Sequence, residues 1–114
     1  MIYDVINKLP TVEGPIAVTE SSHPFCAMEY SREPLDLSCF HYLEEEFFLT
    51  GSANVYDTNE EDMPVVAKRE LPYKNRILVR RPASEKDFSG RVYVDIMNAT
   101  QGYDIEDLWH RIYL

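Results

Sequence analysis

Positive charge is in short supply in this sequence. Eleven Lys and Arg stand against 20 Asp and Glu, a formal net charge of −9 with a pI near 4.7. Nucleic acids and anionic membrane surfaces are both bound through a basic footprint, so neither is expected as a partner. The acid is spread along the chain and reads as a solubilising surface. Cysteine is scarcer still: Cys26 and Cys39 lie 13 positions apart, outside any Cys-x-x-Cys or Cys/His spacing. No metal site and no cofactor is expected from them. They read as two free or buried thiols of small hydrophobic character, with a disulfide as the alternative. No run approaches the ~18–20 apolar residues that a membrane span requires. The opening MIYDVINKLP has neither a basic n-region nor an apolar h-region, so no secretory signal is read and the cytoplasm is the expected location.

What is present suits a globular core: 45% of the 114 residues are hydrophobic, and the length allows at most one domain, 1–114. A mixed apolar start ends at Pro10. TVEGPIAV (11–18) contains Gly14 and Pro15 and predicts an edge or bulged strand. Residues 20–35 carry Pro24, Pro34 and Cys26 without a sustained period, an irregular excursion over the surface. Asp36 ahead of Leu37, Phe40 and His41 predicts one helical turn. Residues 45–57 predict a long aromatic strand, divided where Gly51 and Ser52 fall. TNEEDM (58–63) reads as an acidic connecting loop, and 65–71 is too mixed to assign. Residues 74–81 predict a strand that Pro82 stops.

The organising stretch is 76–114. Two β-branched runs, Ile77 to Val79 and Val92 to Ile96, precede a segment whose apolar period becomes helical: Ile105, Leu108, Trp109 and Ile112. The run at 91–97 is almost continuously apolar apart from Asp95, the pattern of a strand covered on both faces. Asp104, with Asp107 three residues on, forms an acidic variant of the capping box and starts a helix near Ile105. Strand, loop, strand, small-residue loop and helix together open an α/β unit. The loop Asn98, Ala99, Thr100, Gln101, Gly102, Tyr103 is small and polar, so its amides could approach an anion or ligand closely. As a plain connection, it would have Asn98 satisfying local backbone and Gly102 supplying a positive φ.

Three of these stretches, in order, resemble the N-terminal part of the family of alpha/beta-hydrolase-domain-containing proteins. The first is Glu45-Glu46-Phe47-Phe48 running through Gly51-Ser52-Ala53-Asn54-Val55-Tyr56, similar to that family's EEFF-[small]-G-[ST]-A-N-V-Y strand. The second is Arg76-Ile77-Leu78-Val79-Arg80-Arg81-Pro82, similar to R-[IV]-[LV]-V-R-R-P. The third runs from Phe88-Ser89-Gly90 through Val92, Val94, Asp95 and Asn98 to Gly102-Tyr103-Asp104 and Asp107-Leu108-Trp109. The resemblance covers roughly residues 12 to 110. It implies the first strands of an α/β-hydrolase-like sheet with one C-terminal helix, β-rich when taken alone, forming a partial domain.

The resemblance also implies where chemistry would sit. In α/β-hydrolases one oxyanion-hole amide comes from the loop after the third strand, which by order is Asn98, Ala99, Thr100, Gln101 and Gly102 here. The nucleophile elbow G-x-S-x-G is absent: Ser52 lies in GSANV and Ser89 in FSGR, and neither fits. No catalytic residue is therefore assigned within this chain. His23, His41 and His110 have no arrangement that marks acid/base work and read as surface or cap residues. Asp95 stands where the family more often has glutamate; buried in an apolar strand it needs a partner, and Arg80 or Arg81 of the neighbouring strand is expected to form a structural pair with it. Trp109 reads as core. The chain stops at Leu114 inside the helical pattern without a C-cap. It is expected to be the N-terminal portion of a larger esterase-like acyl hydrolase, partnered by the C-terminal remainder of that domain. The alternative is a freestanding β-rich module that self-associates to cover its open edges, without catalysis.

Overall fold

The computed structural model describes residues 9–106 and 108–112. The apolar N-terminal start, the capping role of Asp107 and the side chains of His110 and Ile112 lie outside the described residues. A long antiparallel hairpin dominates: β2 (Tyr42–Thr58) pairs with β3 (Pro64–Pro82), and β1 (Thr11–Glu13) adds a short edge on β2. The sheet order is β1-β2-β3, entirely antiparallel. The acidic connection turns tightly at residues 59–63, where Asn59 Oδ1 accepts from the amides of Glu61 (2.9 Å) and Met63 (3.0 Å).

Residues 65–71, unassignable by pattern, are strand because β2 templates them. Gly51 and Ser52 do not divide β2; they pair in continuous register with Tyr73 and Pro72. The glycine has a packing reason: a Cβ there would stand 2.7 Å from Tyr73 Oη, so the bare backbone makes room for the ring across the ladder. The irregularity falls further on, between Ala53 and Tyr56. There Glu70 adopts φ +50° and its amide donates to Asn54 Oδ1 at 3.1 Å, the two-against-one arrangement of a bulge.

Over the base of the hairpin lies the excursion 20–40, with 3₁₀ turns at Met28–Tyr30 and Leu37–Phe40. The second is capped as expected by Asp36, which accepts from the Ser38 amide at 2.9 Å, and closed by His41 in the left-handed region (φ 59°). Among the described residues the buried apolar ones, Pro24, Ala27, Met28 and Leu37, all belong to this excursion.

The C-terminal third departs from expectation. Residues 91–97 form no ladder: Val92, Val94 and Ile96 are 78%, 80% and 89% exposed, so the expected doubly covered strand has neither face covered. A strand of that type needs neighbours on both sides; β3 is the end strand of the sheet, and its outer edge is not paired with 91–97. The expected helix from Asp104 is likewise absent. Ile105 instead exchanges two backbone hydrogen bonds with Asn98 (2.9 and 3.1 Å), which occupies its N–H and C=O in a strand-like bridge. Among the described residues a five-residue helical segment, α1 (Leu108–Ile112), follows. The accessible surface is 9588 Å², against roughly 6,500 Å² for a compact monomer of this mass. The radius of gyration is 17.6 Å, against about 13 Å for a compact chain of this length. Much apolar surface thus stays in water.

Candidate functional site

The 98–105 loop folds on itself. Asn98 Oδ1 accepts from the Thr100 amide at 2.8 Å and from the Thr100 hydroxyl, while the Gly102 amide donates to Ala99 O at 2.9 Å. Gly102 holds φ +83° with nothing within 4 Å of where a Cβ would stand, so the conformation alone selects glycine. With the Asn98 amide bonded to Ile105 O, three of the five loop amides are used internally. Among the described residues, those of Ala99 and Gln101 have no protein acceptor.

Beneath this loop sits a buried ionic cluster around Arg80, whose side chain is 6% exposed. Its Nε donates to Glu44 Oε2 at 2.7 Å, its Nη1 to Glu106 Oε1, and its Nη2 to Cys26 O at 3.0 Å. Trp109 lies against it, ring centroid 4.8 Å from the guanidinium carbon, and tilts against Tyr42 at 6.0 Å. Glu44 also accepts from the Met28 amide through both carboxylate oxygens (3.1 and 3.3 Å). One guanidinium thus joins β2, β3, the excursion and the C-terminal segment.

Asp95 is elsewhere. Its Oδ2 accepts from the Leu108 amide at 3.2 Å, at the start of α1, where Asp104 was expected to act. Arg81 pairs with Glu45 at 2.8 Å, and both arginines are met by glutamates of the facing strand rather than by Asp95. The reason is register: Glu44 stands directly opposite Arg80. Sequence reasoning missed Glu44 and Glu106. For Glu44 a signal existed, since a Glu-Glu-Glu run (44–46) and Arg80-Arg81 occupy two strands that a tight acidic turn makes antiparallel. For Glu106 none did.

Both cysteines are free thiols. Cys26 Sγ lies 4.0 Å from Met97 Sδ and 3.9 Å from Asp104 O, touching the two stems of the loop. Burial first, then the neighbouring Glu106 and Asp104, push its pKa above the ordinary thiol value, with Arg80 opposing. His23 Nδ1 donates to Pro24 O (3.0 Å) and its ring stacks on Tyr30, and His41 closes a turn; neither serine, Ser52 or Ser89, bonds a histidine among the described residues. No group of three or more metal-ligating side chains occurs among them, nor any helix long and apolar enough to cross a membrane.

A family model described as alpha/beta hydrolase domain matches residues 12–113, and the chain belongs to that family. No curated protein and no solved structure matches it.

Proposed function

We propose that this chain is the N-terminal segment of an esterase-type acyl hydrolase, supplying the first strands and the oxyanion loop while the nucleophile comes from the C-terminal remainder of the domain. The observation that carries this reading is the exposed apolar segment 91–97, ending at a loop with two uncommitted amides. The donors are then the N–H groups of Ala99 and Gln101, with Asn98, Thr100 and Gly102 holding the turn that aims them. An oxyanion hole needs such donors fixed before charge develops. Arg80 and Arg81 are structural, as Asp95 is.

Alone, the chain leaves p-nitrophenyl acetate at its background rate; joined by the remainder, it turns the ester over. Gly102→Val then lowers kcat on the order of 10²-fold to 10³-fold with little change in KM, because the contact strengthens in the transition state. Hydrolysis by the 114-residue chain alone, lost on Ser52→Ala or Ser89→Ala, would overturn the reading. Exposure of Val92, Tyr93, Val94 and Ile96 equally favours a second reading, in which a second copy covers this segment and no catalysis follows. Light scattering separates the two: a monodisperse oligomer with a sharp thermal transition supports the module, aggregation or a molten state supports the segment.

A further inference from the structure

We propose that Arg80 is the positioning residue for the 98–105 loop, acting through Glu106; for its part in catalysis this rests on the hydrolase reading above. The loop has two stems. Its N-terminal stem, at Met97, touches the excursion at the Cys26 sulfur, and its C-terminal stem is gripped at Glu106, the residue directly after the bridge between Asn98 and Ile105. Glu106 is 10% exposed at its side chain and Glu44 13%. One guanidinium between two carboxylates and the Cys26 carbonyl has its donors fixed in three directions at once. Only the planar fork of arginine does this; a lysine has one charge centre and no fork.

Register makes the arrangement directional. Glu44 and Arg80 face each other across β2 and β3, so the arginine is anchored by the hairpin whether or not the loop is in place. Trp109, packed over the guanidinium, fixes the chain on the far side of Glu106. The hairpin therefore sets where Ile105 lies, and Ile105 sets where Asn98 and the turn after it lie. Loosening Glu106 frees the loop and leaves the hairpin paired.

The test is residue-resolved amide hydrogen exchange on the full chain with Glu106→Ala, which keeps Glu44 as a counter-charge for Arg80. Exchange at the Asn98 and Ile105 amides is expected to rise about tenfold or more, with β2 and β3 unchanged. Glu106→Gln, which retains an acceptor oxygen for Arg80, restores most of the protection. Unchanged exchange at Asn98 and Ile105, or a rise spread over β2 and β3, would overturn the proposal. With the remainder of the domain present and p-nitrophenyl acetate as substrate, Glu106→Ala lowers kcat about 10²-fold at nearly constant KM. A freed loop with unchanged kcat would show that Arg80 positions nothing catalytic. Wild-type protein inactive in that assembly would defeat the hydrolase reading instead, while the exchange data still decide Arg80's hold on the loop.

Discussion

The hairpin and the segment that follows it are built from similar residues and end differently. Residues 76–82 and 91–97 are both β-branched runs with basic residues at an end. The first is paired throughout with β2, and the second has no ladder partner among the described residues. Strand propensity is a fit to a half-buried surface rather than a backbone instruction. β3 becomes strand because a five-residue acidic turn brings β2 alongside, whereas nothing in the described chain lies alongside Val94.

The sharpest way to break this contrast is at the hairpin's own ionic anchor. Glu44→Ala removes the carboxylate that holds both Arg80 and the Met28 amide, leaving a buried cation partly unpaired. It is expected to cost about 3 kcal/mol, read as a lower urea midpoint at unchanged m-value. A smaller loss, about 1 kcal/mol, is expected from Gly51→Ala, because the new Cβ meets the Tyr73 ring. Tyr73→Ala in the same chain recovers part of it, and additivity of the two changes would contradict the contact. In the other region Val94→Lys is expected to shift the urea midpoint of the isolated chain by no more than about 0.5 kcal/mol, since that side chain is already in water. The same change should abolish assembly with whatever covers the segment, followed by light scattering. The smallest effect concerns the thiols: iodoacetamide at mild alkaline pH should modify exposed Cys39 before Cys26, whose pKa is raised by burial and neighbouring carboxylates. Peptide mapping reads the order.

Much of the hairpin was legible in the residues themselves. Ile77 to Val79, the aromatic run at 47–48, the acidic turn and the Asp36 cap carry local signals that the fold respects. Residues 65–71 were not legible, because only β2 makes them strand. Gly51 misled because its role lies across the ladder in Tyr73, outside its own strand. The helix start misled for a similar reason: Asp104 and the apolar period describe a helix, but Ile105 is claimed by Asn98, and Asp95 takes the amide at the start of α1. In the loop, the positive φ of Gly102 and the local bonding of Asn98 were readable from residue type. The Arg80 cluster was not, since Glu106 reaches it only through tertiary contact.

The most direct measurement of the central contrast is amide exchange along the whole chain, first alone and then with the proposed remainder of the domain. Alone, the amides of Val92, Tyr93, Val94 and Ile96 should exchange near the rate of an open chain while β2 and β3 are protected; joined by the remainder, the segment should gain protection comparable to β3. Protection of residues 92–96 equal to that of β3 in the isolated chain, or none gained in the assembled domain, would contradict the view that this segment is a strand awaiting its neighbours.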